Sequence, residues 1–148
     1  MTSTATKTAA NPTYERIPHP TTRYTSFESF YPFYLGEHAA RGNRVMHLTG
    51  TSLGVSTGAY MVVCGIASLA VRLRRDLEDK IPKQLRPLWG AREWLRLAFL
   101  GLVQGYAWAW FGHAFIEKNR PATFKYPVWS LMGDFRLWWE ILSSQRKL

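Results

Sequence analysis

The sequence predicts an all-α, small helical membrane protein: an antiparallel transmembrane hairpin accompanied by amphipathic interfacial helices. Three observations lead there. Two stretches, residues 48–71 and 97–116, contain no Asp, Glu, Lys or Arg, and their 24 and 20 residues are each enough to cross a bilayer as helix. No strand-like alternation and no long internal repeat competes with that pattern. Seven Trp, seven Tyr and eight Phe in 148 residues supply the amphipathic rings favoured where hydrocarbon meets water.

The elements follow in order. Residues 1–26 are rich in Thr, Ala and Pro and lack an apolar core, so a disordered arm without a secretory signal is expected there. A single helical membrane domain, 27–148, should follow. Its first span, Leu48 to Val71, would cover roughly 36 Å. Thr49, Thr51, Ser52, Ser56 and Thr57 dilute this run and Gln104 dilutes the second, which keeps a soluble protein with two buried core helices as the alternative. The charged loop 72–96 alternates in sign and carries Pro82 and Pro87, the pattern of a short, broken amphipathic helix in water or headgroups. Trp89 and Trp94 precede the second span as interfacial anchors. After it, about 127–144, Trp129, Leu131, Phe135, Leu137, Trp138, Ile141 and Leu142 mix with Asp134, Arg136 and Glu140. That mixture suits a helix lying along the membrane surface, or a third crossing.

The net charge of +9 and pI near 10.1 raise nucleic acid as a partner. The 19 Lys and Arg residues instead gather at the ends of the apolar segments, which suits anionic lipid headgroups and argues for no nucleic acid. Eight of them lie in the loop and eleven towards the termini, so the charge asymmetry sets no orientation. Cys64 is alone, so no intrachain disulfide forms.

Two spans joined by a loop run antiparallel, so the start of the first and the end of the second share one membrane face. His47 stands at that start, with His38 nine residues upstream, and His113 stands at that end. Glu117 follows four residues later, about 40° round an α-helix. Gly50, Gly54 and Gly58 make one small-residue stripe, while Gly101, Gly105 and Ala109 make another that runs into His113. Such stripes let helices approach closely in lipid, and simple packing explains each one by itself. Both point at histidines. Three imidazoles and a carboxylate at membrane depth must be paired, hydrogen-bonded or metal-bound. Zinc, copper, nickel and iron all suit neutral imidazole, and histidines with open positions resemble non-haem ferrous sites. Interfacial histidines bonded to headgroups or backbone are the bland counterpart. Glu37 and Asp134 are available to orient an imidazole or to pair with a nearby Arg or Lys. His19, between prolines, carries no such reading.

The stretches YPFYLGEHAARGNRVMHLTGTSL and GYAWAWFGHAFIEKNRPATFKYPVWSLMGDFRLWW together resemble the 2-hydroxy fatty acid dioxygenase family, over roughly residues 30–142. The resemblance implies iron(II)-dependent alpha-oxidation, in which a 2-hydroxy fatty acid and O2 yield the acid one carbon shorter. In that family the activity serves sphingoid-base breakdown at the endoplasmic reticulum. It implies His38, His47 and His113 as holders of Fe2+, and Glu117 as the acidic position of the second motif. Some members have more crossings, and the charged segment 72–86 is an extension here.

A 2-hydroxy carboxylate can chelate a metal that three histidines leave open. Arg41, Arg44, Lys118 and Arg120 stand beside the expected ligands and suit a carboxylate headgroup, or serve as the basic flank of membrane segments. Tyr106 and Trp110 share a helical face with His113 and suit the wall of an acyl slot, or the core. Asn43 and Asn119 read as caps or polar support. The expected location is an integral membrane one, the endoplasmic reticulum in a eukaryote or the inner membrane in a bacterium. Against the dioxygenase stand a non-catalytic membrane protein that binds lipids or partners, and a zinc-dependent lipid hydrolase built on the same ligands.

Overall fold

In a computed structural model, residues 10–86 and 90–148 are described. Among them are four α-helices and no strand: α1 (Phe27–Gly36), α2 (Arg41–Leu73), α3 (Ala91–Phe111) and α4 (Pro127–Leu142). The all-α expectation therefore holds. The chain falls into two compact units, one formed by the residues up to Thr49 with Trp108–Leu148, the other by Gly50–Ala107.

The first unit is built on α1, which the sequence reading did not assign. Its start is a reciprocal cap: the Ser29 N–H donates to the Ser26 hydroxyl and the Ser26 N–H donates to the Ser29 hydroxyl. Phe30, Tyr31, Phe33, Tyr34 and Leu35 are buried together with Tyr14 and Leu137 in an aromatic core. Burying rings of this size is the main favourable term in holding so small a unit together. Two glycines set how closely its parts approach. A Cβ at Gly36 would lie 2.4 Å from the Glu15 carbonyl oxygen, and one at Gly133 would lie 2.9 Å from the Tyr34 ring. Only hydrogen fits at either place. α4 thus lies on α1, turning Ser130, Gly133 and Leu137 inward and leaving Val128, Leu131, Met132, Phe135, Trp139 and Leu142 exposed.

Residues 10–26, expected as part of a disordered arm, are held against this core. Tyr14 is buried and donates its hydroxyl to the Lys147 carbonyl at 2.6 Å, while Arg146 donates to the carbonyls of Ala10 and Asn11. The average composition concealed a few anchors, Tyr14, Ile17 and Tyr24, that suffice to fix the segment.

In the second unit the glycine stripes meet. A Cβ on Gly105 would be 3.6 Å from the Gly50 carbonyl oxygen, and one on Gly54 would be 4.0 Å from that of Gly101. Gln104 adds a hydrogen bond to the Thr57 hydroxyl at 2.9 Å. Gly58 meets nothing within 4 Å, so the first stripe is shorter than its spacing suggested. Of the described helices one, α2, is long and apolar enough to cross a membrane, and only 6% of its most apolar window is buried, unlike the core helix of a soluble protein. The second expected span is not matched: α3 carries Arg92, Glu93 and Arg96 in its first turns and ends as α-helix at Phe111, not at 116.

The loop also differs from expectation. In place of one broken amphipathic helix it makes short 3-10 turns at Arg75–Leu77 and Lys83–Leu85. It then folds back along α2, where the Gln84 carbonyl accepts the Tyr60 hydroxyl at 3.0 Å. Trp89, expected as an anchor, lies outside the described residues.

Candidate metal centre

All three expected histidines lie in the first unit, each delivered by a different device. His38 sits just past the end of α1, where its N–H bonds to the Leu35 carbonyl. His47 lies in the second turn of α2. His113 comes from a change in helix type, for after Phe111 the chain widens into a π-helical turn, Gly112–Glu117, closed by Lys118 in the left-handed conformation at φ 56°. Single π turns recur at functional sites because they re-aim side chains that an α-helix would misdirect. Gly112 is required here, since its Cβ would fall 2.2 Å from the Asn43 Oδ1.

The three imidazoles are buried, at 1%, 6% and 3% exposure for His38, His47 and His113. Their ring centroids lie 4.3, 4.8 and 4.9 Å apart, with interplanar angles of 85°, 71° and 85°. Each ring is fixed through its Nδ1. That of His38 reaches the Tyr34 carbonyl at 2.6 Å, that of His47 the Asp134 carboxylate at 2.6 Å, and that of His113 the Asn119 Oδ1 at 2.7 Å. Asn119 cannot be turned over, because its amide nitrogen donates to the Glu37 carbonyl and carboxylate. Every partner is an acceptor, so every Nδ1 carries the proton.

The consequence falls on the other nitrogen. A neutral imidazole protonated at Nδ1 presents a bare lone pair at Nε2, and the Nε2 atoms of His38 and His47 face each other at 3.1 Å. Two lone pairs at that distance repel unless a proton or a cation lies between them. One nitrogen from each of the three residues falls within 4.8 Å of the others. Two nitrogens each ~2.1 Å from one ion sit roughly 3.0–3.4 Å apart, so the closest pair already matches a shared cation. Charge supports the same conclusion: burial, and then the neighbouring His47 and His113, hold the His38 ring well below the usual histidine range and hence neutral, the form that binds metal. The residues fit a divalent cation bound by three imidazoles, with Asp134 raising the basicity of one of them.

Glu117 does not join the histidines. Its buried carboxylate accepts from the Ala40 N–H at 2.9 Å, from the Asn43 amide at 3.2 Å and from Arg16 at 2.9 Å. It thereby satisfies donors at the start of α2. Arg44 is buried with its guanidinium 3.9 Å above the Tyr14 ring and donates to the carbonyls of His38 and Ala39, so it braces the chain under His38. Arg41, Lys118 and Arg120 are exposed, the last lying 5.0 Å over the Phe124 ring. Trp110 is half-exposed and stacks on Phe124, while Tyr106 belongs to the other unit. The sequence reading singled out neither Tyr34 nor Gly133, although both lie against the ligands' supports.

A family model described as 2-hydroxy-palmitic acid dioxygenase Mpo1-like matches residues 24–146. No curated protein and no solved structure matches the chain.

Proposed function

Because the chain belongs to the Mpo1-like family, whose model spans all three histidines, we propose that it is an iron(II)-dependent dioxygenase. It would convert a 2-hydroxy long-chain fatty acid and O2 to the acid one carbon shorter. The observation that carries this reading is three buried imidazoles, each held at Nδ1 by an acceptor, with one ring nitrogen from each within 4.8 Å of the others. A bound ferrous ion would supply the redox chemistry and Lewis acidity that oxygenation needs.

The chain's own residues do the rest. Imidazole ligands bring no negative charge to a metal, so the positive charge of a divalent ion would be left for an anionic substrate, and three of them would leave room for hydroxyl and carboxylate oxygens. The Tyr34 carbonyl, Asp134 and Asn119 keep each Nδ1 protonated and so keep each Nε2 open. Lys118 and Arg120, exposed at the end of the π turn, are the cations available to steer a carboxylate. Arg44 is already committed to two carbonyls. The aromatic faces of Trp110 and Phe124 suit an acyl chain. The lipid-like exposure of α2 suits a protein held in a membrane, the endoplasmic reticulum of a eukaryote or the inner membrane of a bacterium, where such acids partition.

The test combines metal, oxygen and product. Protein purified without chelator should hold about one iron per chain, consume O2 only when given a 2-hydroxy long-chain acid, and release the acid one carbon shorter, identified by mass spectrometry. Turnover of a lipid under strict anaerobiosis would replace this reading with hydrolysis. Full function in a His113→Ala protein that binds no metal would replace it with a non-catalytic role.

A further inference from the structure

Two of the three imidazoles are held by one residue that is not itself a candidate ligand, one through its main-chain carbonyl and the other through its hydroxyl. Tyr34, on α1, is 1% exposed, and its ring lies 4.2 Å from that of His38. Its carbonyl oxygen accepts the His38 Nδ1–H at 2.6 Å. Its hydroxyl donates to Asp134 Oδ1, the same oxygen that accepts the His47 Nδ1–H at 2.6 Å. Asp134 belongs to α4, next to the Gly133 that must lack a side chain for α4 to rest on the Tyr34 ring. His113 is oriented separately, through Asn119 and Glu37.

A carboxylate oxygen that receives one donor can swing about its χ2, which is a soft torsion. One that receives two donors from different elements cannot turn without breaking a bond. Resting on the metal reading above, we propose that Tyr34 is a positioning residue that acts through Asp134, locking the carboxylate that aims His47 and so making cation affinity depend on the seating of α4 against α1. The hydroxyl is the operative group. The backbone carbonyl that serves His38 persists in any variant, and the ring is retained in phenylalanine.

Tyr34→Phe therefore isolates the Asp134 arm. The probe is Co2+, titrated into metal-free full-length protein in competition with a chromogenic chelator and followed also by its visible ligand-field bands. Wild type should bind one Co2+; Tyr34→Phe should bind it roughly 10-fold more weakly, with altered bands, in the range that supports of metal-bound histidine usually command. Asp134→Asn should show a loss of similar size, and adding Tyr34→Phe to it should cost little more, because a residue that works through another has no separate effect once that other is changed. If Tyr34→Phe matches wild type in affinity within two-fold and in spectrum, the proposal is overturned, whatever its melting temperature. If Tyr34→Phe does not fold, the Asp134→Asn protein carries the decision alone: wild-type affinity and bands would remove the carboxylate arm on which the proposal stands. A wild-type protein that binds no Co2+ overturns the metal reading, and the role of Tyr34 with it.

Discussion

The two units treat their side chains in opposite ways. Among the described residues of Gly50–Ala107 the buried positions are Gly50, Cys64, Ala67 and Gly101, all small, while Val62, Ile66, Leu69, Phe99 and Leu102 face outward. In the other unit Phe30, Tyr31, Phe33 and Tyr34 are buried, and with them His38, Asn43, His47, His113 and Glu117. The hairpin unit is held by backbone approach and turns its bulk to its surroundings, the arrangement expected where the solvent is itself apolar. The histidine unit spends its bulk inward, excluding water from a polar network whose members all need fixed partners. A cluster of three imidazoles belongs in the second kind of environment, because each ring is kept in one tautomer by an acceptor fixed in the packed interior.

That contrast can be broken most severely at a ligand. His113→Ala should abolish stoichiometric metal, with at least ~100-fold weaker binding by chelator competition, because it removes a ligand outright and not merely the support of one. Next comes close packing. Gly112→Ala drives a Cβ into the Asn43 side chain and should lower unfolding stability by about 1–3 kcal/mol, read by denaturant titration in detergent. In the hairpin unit the corresponding losses should be smaller. Gln104→Leu removes the bond to Thr57 and should cost about 0.5–1.5 kcal/mol, with metal affinity unchanged. The smallest effect should have the opposite sign, since Gly58 meets nothing within 4 Å and Gly58→Ala should stabilise α2 by up to about 1 kcal/mol. A Gly58→Ala protein as damaged as Gly112→Ala would erase the distinction between the units.

Much of the site was legible in the chain. Folding two uncharged stretches back on each other brings His47 and His113 together without any coordinates, with His38 nine residues upstream of the first, and the resemblance implied the same three. Asp134, Glu37 and Asn119 were visible only as polar residues near basic ones, and nothing in their spacing decided between orienting an imidazole and pairing with Arg. α1 was illegible because Pro32 interrupts it and six of its ten residues are buried, so it shows no polar face and no helical period. Tyr34 was lost with it. Glu117 was misjudged because four-residue spacing places it near His113 but does not show that Arg16, Ala40 and Asn43, all distant in sequence, bring the donors that claim its carboxylate.

The fold-back of the charged segment limits how much of α3 is free of charge. Continuing the register of Gly50 with Gly105 and Gly54 with Gly101 sets Arg96 opposite residue 59, the same height at which Gln84 meets Tyr60. From there to Phe111, α3 offers 15 uncharged residues, roughly 22 Å of greasy wall. An average bilayer presents about 30 Å of hydrocarbon, so the uncharged part of α3 stops short of a crossing, and among the described helices α2 alone has the length and apolar content for one.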